Sequence, residues 1–177
     1  MRSSSKLSEK AKKFKRAYRL EWRLSNQKES FIKLWLESLG FQVRPLGLGC
    51  MEEKRKRRSG SLPDFSVWRG SKFVCFIEVT GSNFFKYSDE KYIIYDKIRK
   101  FSELARQRNA RVYFVYLALH KGRLRAAFYI DLNTALKYAI NSDFHRFLKT
   151  RWGTEEHFVY IPNQAWKPLS LLPNELL

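Results

Sequence analysis

Two carboxylates stand out in the stretch "LPDFSVWRGSKFVCFIEVTGSN", residues 62–83. Asp64 follows Pro63 at the start of one apolar run, and Glu78 lies between Ile77 and Val79 near the end of the next. If residues 64–69 and 72–80 form a hairpin about the turn "RGSK", residue 64 falls roughly opposite residue 77 or 78. Two anions held together resist ionising. A hard divalent cation, Mg²⁺ (or Mn²⁺), removes that conflict, because it takes oxygen ligands, often one or two carboxylates with water and a substrate phosphate. Such a cation activates water and stabilises charge on a phosphoryl group in transfer. Taken singly, each residue also has an ordinary structural role. An Asp at a strand start caps a turn, and a Glu near a strand end faces water or pairs with one of the many Lys and Arg side chains.

The bulk of the chain suits that chemistry. Its 177 residues carry a net charge of +18, which calls for a polyanionic partner, nucleic acid being the commonest. A ribosomal or membrane-surface protein shares that charge. At 44% hydrophobic and 16% aromatic, the chain buries a sizeable core. One domain is expected over 25–177, behind a basic N-terminal arm or helix over 1–24. Cys50 and Cys75 make neither a disulfide framework nor a zinc site, and His120, His145 and His157 have no ligand spacing. A reducing, intracellular and cytoplasmic setting is expected. The basic N-terminus lacks the apolar region of a signal peptide, and the longest apolar run, "VYFVYLAL" at 112–119, is too short to span a bilayer, so no membrane partner is expected. "GLGCME" lacks the Lys-Ser/Thr of a phosphate loop, and Ser82 does not sit in a nucleophile elbow. No small-molecule cofactor is expected.

The elements that must position the carboxylates follow from periodicity. In "SNQKESFIKLWLESLGF", Phe31, Leu34, Trp35, Ser38 and Leu39 recur at helical spacing, and Gly40 is a natural stop. "FQVRPL" at 41–46 alternates like a strand, and residues 47–61 read as a loop. The two strands of the hairpin follow. Residues 89–108 read as an amphipathic helix, "ARVYFVYLAL" as a buried strand, "LRAAFYIDL" as another and "NTALKYAI" as a short helix. The Pro-punctuated end, "NQAWKPLSLLPNELL", reads as a packed irregular tail. The class is α/β, a mixed sheet of about five strands flanked by helices.

"PD", thirteen residues and then "EVT" resembles the PD-(D/E)xK nuclease superfamily. The apolar strand "FVCFIEV" and the order of elements resemble its restriction-endonuclease-like core, and "KESFIKLWLESLGFQV" is similar to the first helix of archaeal Holliday-junction-resolvase-type nucleases. The resemblance spans roughly residues 26–131. It implies a metal held by Asp64, Glu78 and the Val79 carbonyl, with Glu29 as a further ligand. It also implies a metal-dependent DNA endonuclease that hydrolyses phosphodiester bonds to leave a 5′-phosphate, and a homodimer that cuts both strands. Small basic, aromatic-rich proteins of this kind occur in viruses and mobile elements. Glu29 has a competing role as the capping-box partner of Asn26.

One position departs from the motif. The superfamily's lysine belongs at position 80, where this chain has Thr80. Either the site is inactive, leaving a nucleic-acid-binding module on a nuclease fold, or a lysine arrives from elsewhere. Some members of the superfamily supply it from the following helix. On the helical wheel Lys97 falls between Phe101 and Leu104, inside the stripe of Ile94, Ile98, Phe101 and Ala105. A lysine there is costly unless its ammonium is paired, or unless it snorkels to water. Lys97 is therefore preferred over Lys86 and Lys91. The unbroken basic block Lys54, Arg55, Lys56, Arg57 and Arg58, with Lys86, is expected to hold the DNA backbone without reading its sequence.

Overall fold

The hairpin that carries the two carboxylates forms, and the rest of the molecule is arranged around it. The computed structural model describes residues 27–46, 62–82, 90–121, 123–149 and 155–177. The basic arm over 1–24, the block Lys54–Arg58 and Lys86 lie outside the described residues. The first helix, α1, is described over 27–38 and is followed by β1 (Gln42–Pro45), β2 (Phe65–Arg69) and β3 (Lys72–Thr80). Then come β4 (Lys91–Ile94), α2 (Tyr95–Arg108), β5 (Val112–His120), β6 (Arg123–Asp131) and α3 (Leu132–Ala139). The chain ends with β7 (His145–Lys149), β8 (Glu155–Ile161), β9 (Lys167–Pro168) and α4 (Leu172–Leu176).

The main sheet has six strands in the order β1-β2-β3-β5-β6-β9, rather than about five, and a second sheet of three strands runs β4-β8-β7. β3 and β5 are parallel; every other neighbouring pair is antiparallel. A parallel pair needs a crossover, and α2 lies within it. β5 is buried along nearly its whole length because both faces of the sheet are covered. Tyr113, Val115 and Leu117 enter one core with Ile32, Leu36, Cys75, Ile77 and Leu172. Val112, Phe114, Tyr116 and Ala118 enter the other with Ile98, Phe101, Ala135 and Val159. The alternation of period two thus sorts one strand into two cores.

Several expectations shift. The helix expected over 89–108 begins at Tyr95, because Lys-Tyr-Ile-Ile at 91–94 pairs antiparallel with β8. β-branched and aromatic residues suit that strand, and a distant partner overrides the local period. The buried line of α1 is Lys28, Ile32 and Leu36, with Trp35 packed beside it, while Phe31 and Leu34 are exposed. Residues 145–149 and 155–161, unassigned by periodicity, form β7 and β8, which pair antiparallel. The tail packs, burying Leu169, Leu172 and Leu176, but it is not irregular, since Lys167–Pro168 pairs with β6 and Leu172–Leu176 is helical.

Candidate active site

The β2–β3 hairpin turns through Gly70 and Ser71, since Arg69 pairs with Lys72. Gly70 takes φ +59, as tight two-residue turns require. The register then slips by one between Val67 and Trp68: Trp68 faces Phe73, but Val67 faces Cys75 and Phe65 faces Ile77. This bulge decides the geometry of the carboxylates. Continued one residue past Phe65, the shifted register sets Asp64 across from Glu78, where the unshifted one would set it across from Ile77. Asp64 is anchored at that point. Its carbonyl accepts from the Leu46 amide at 2.8 Å, and its carboxylate Oδ2 accepts from the Val79 amide at 2.7 Å.

Glu78 sits opposite Phe114 of β5 and is 2% exposed. Strand alternation puts Cys75 and Ile77 in the core shared with α1, and turns Phe76 and Glu78 to the side of α2. Lys97 lies one helical position before Ile98, which is buried in that second core. The Lys97 ammonium donates to Glu78 Oε1 and forms an ion pair with it. Burial pushes the Glu78 carboxyl well above its ordinary range, the Asp64 charge pushes it further, Lys97 opposes both, and Glu29 adds to the rise. For Lys97, burial works against the ammonium. Glu78, Asp64 and Glu29 outweigh it, and its value is raised. Glu29, Asp64, Glu78 and Lys97 therefore form one electrostatic cluster drawn from α1, the start of β2, β3 and α2.

The types of these groups fit a hard divalent cation: carboxylates, with the β3 backbone beside them, and no His or Cys. Among the described residues no three His, Cys, Asp or Glu side chains are grouped as a ready metal site. Glu78 is turned to Lys97, and Asp64 to the Val79 amide. His145 and His157 meet on β7 and β8 with ring nitrogens 3.0 Å apart. Lys91, weighed as a stand-in for the motif lysine, is buried on β4, and its ammonium donates to Asn163 Oδ1 at 2.6 Å.

Lys28 was not foreseen. It is 8% exposed, and its ammonium donates to the Gly81 carbonyl at 3.3 Å, tying α1 to the end of β3. Its signal was its spacing, because it lies one and two helical turns before Ile32 and Leu36. Gly81 itself takes φ +139, and a Cβ there would stand 1.9 Å from the Leu117 carbonyl oxygen. Only glycine lets the chain leave β3 this close to β5.

No protein-family model matches the chain, and no curated protein matches it. Solved structures do. The chain is similar to Hjc of Archaeoglobus fulgidus, a Holliday junction resolvase from an archaeal hyperthermophile, with a TM-score of 0.51 and 14% identity over 85% of this chain and 95% of that one. A nuclease from a fusselovirus gives a TM-score of 0.45 and 18% identity over 83% of each chain. The first likeness shows a shared fold: a mixed α/β sheet flanked by helices, as the resemblance implied.

Proposed function

We propose that the chain is a metal-dependent DNA endonuclease hydrolysing phosphodiester bonds. What supports this reading above all is the Lys97–Glu78 ion pair beside Asp64. The motif has lost its own lysine to Thr80, yet a lysine from α2 stands at the motif glutamate. Asp64, Glu78 and the Val79 carbonyl would hold Mg²⁺ or Mn²⁺, with Glu29 as a further ligand. When bound, the cation supplies a nucleophile at neutral pH and neutralises charge on the phosphoryl oxygens. The chain's own residues do the rest. Asp64, locked by the Val79 amide, fixes the spacing of the two strands. Lys97 keeps its proton, because Glu78, Asp64 and Glu29 all favour the ammonium, and so offers a fixed positive charge to a phosphate oxygen. Lys28 holds the exit of β3 in place through Gly81.

The basic block Lys54–Arg58 and Lys86 belongs to the same reading as a backbone clamp, and a homodimer would bring two such sites to the two strands of a duplex. The test is cleavage of labelled duplex, single-stranded, flapped and four-way-junction DNA in Mg²⁺ or Mn²⁺. Wild type is expected to cut, and Asp64→Ala and Lys97→Ala to lose cutting while remaining folded. Tight DNA binding by wild type without cutting in either metal, on every substrate, would instead favour an inactive binding module. Loss in Asp64→Ala alone would leave the metal site standing and remove Lys97 from it.

A further inference from the structure

The end of β3 also borders a cavity of about 680 Å³, a volume suited to a small organic group. Among the described residues, Thr80, Gly81 and Ser82 of the β3 exit line it, together with Tyr116 of β5. Glu90, Tyr92 of β4 and Phe158 of β8 complete that lining. Thr80 lies two residues beyond Glu78 and shares its strand face, so the cavity adjoins the carboxylate cluster. The β3 exit is held rigidly, with the Leu119 amide donating to the Ser82 carbonyl at 2.8 Å and Gly81 pressed onto Leu117.

In a chain of net charge +18, the described residues of the lining offer three aromatic rings and a carboxylate, with no lysine or arginine among them. Tyr92 and Phe158 meet edge to face at 6.3 Å. The Tyr92 hydroxyl donates to Glu90 Oε2, and burial and Glu90 together push the phenol up to about 12, so it stays a donor. A carboxylate repels phosphate, and aromatic rings have no use for one. Both suit a nucleobase, with the rings for its π-face and the carboxylate for its exocyclic amino group. A base stacked inside a duplex cannot present its π-face to a cavity, although its amino group still borders a groove.

We propose that this cavity receives an unpaired nucleobase bearing an exocyclic amino group, from the DNA strand whose phosphate lies at Asp64 and Glu78. The preferred substrate then carries an unstacked nucleotide beside the scissile bond. This deepens the endonuclease reading and rests on it. The experiment reads binding by fluorescence anisotropy with Ca²⁺, a hard divalent cation, in place of Mg²⁺ or Mn²⁺. Four otherwise identical duplexes carry an unpaired cytosine, an unpaired thymine, an abasic residue in the same position, or no unpaired residue.

Wild type is expected to bind the cytosine duplex about tenfold or more tighter than the abasic one, the worth of one lost stack. It should also favour cytosine over thymine. Phe158→Leu, which keeps apolar volume, should reduce the cytosine-to-abasic ratio. Glu90→Gln, which still accepts from Tyr92, should erase the cytosine-to-thymine preference and keep the stacking advantage. Equal affinity of wild type for all four duplexes overturns the proposal, as does an unchanged base preference in Glu90→Gln and Phe158→Leu together. Cleavage of the same duplexes in Mg²⁺ keeps the two ideas apart. Cutting without base preference leaves the nuclease and removes the base pocket; base preference with no cutting of any substrate does the reverse.

Discussion

Replacing Lys97 by methionine in the metal-free protein should change the pH dependence of stability in a way that only a true pair with Glu78 can produce. The Glu78 side chain is 3% exposed and that of Lys97 33%, so one partner is sealed and the other is one-third open. Breaking a fully buried pair by removing one partner costs about 3–5 kcal/mol, and exposed pairs are worth about 0.2–1 kcal/mol. An intermediate loss of about 2–3 kcal/mol is expected where Glu78 is ionised. The direction of the pH effect follows from the raised carboxyl, pushed from its ordinary 4.5 to about 8 by burial first and Asp64 second. The contribution of such a group is present in full below 4.5 and is lost as the pH rises through its folded value. The wild-type curve should therefore decline over that window and level off above about 8, where Glu78 ionises against the Lys97 ammonium. In Lys97→Met no ammonium waits there, so the decline continues. Below about 8 both folded forms hold a neutral carboxyl, and the variant should lose only about 1 kcal/mol for one hydrogen bond. Urea unfolding in EDTA at about pH 6 and about pH 9.5 reads the difference. Parallel curves for the two proteins, with one constant offset, would refute the pairing and with it the placement of Lys97 in the site.

Three further outcomes are expected. Thr80→Lys placed in the Lys97→Ala background should recover part of the lost nicking rate, since residue 80 shares the face of Glu78; a double variant that is folded but as inert as the single one counts against a transferable lysine. Gly81→Ala should lower stability by about 2–4 kcal/mol, through strain at φ +139 and overlap with Leu117, and a melting temperature equal to wild type contradicts the close approach. DNA affinity should fall steeply with salt, the logarithmic slope being about −0.9 per phosphate contacted, and replacing Lys54 to Arg58 by alanine should flatten it; an unchanged slope removes that block from the interface.

The hairpin was legible because its two strands are local and joined by a turn whose residues announce it. Even so, periodicity alone left Asp64 opposite residue 77 or 78. The choice fell to a bulge at Val67 and Trp68, which no alternation pattern encodes. Lys97 could be found from the wheel because it interrupts an apolar stripe, and a charge in that position has to be explained. The second sheet was hidden for two reasons. Lys91–Ile94 runs straight into α2, so its apolar residues extend a plausible helical period, while its actual partner, β8, is distant in the chain. β7 is exposed at four of its five positions, so it has no buried face to mark it. The cavity beside Thr80 was illegible for a related reason, as its rings come from β4, β5 and β8, which only tertiary pairing brings together.

The parallel pairing of β3 with β5 has a consequence in time. The hairpin bearing Asp64 and Glu78 closes through two residues, a fast local event, whereas Lys97 rides on the crossover and arrives only when β5 docks. During synthesis or refolding the two acids are thus assembled first and their cation last. A chain caught between those events holds repelling carboxylates with no ammonium beside them. If so, Lys97 contributes little to the folding transition state, and its replacement should speed unfolding far more than it slows refolding, a partition that stopped-flow rates measure directly.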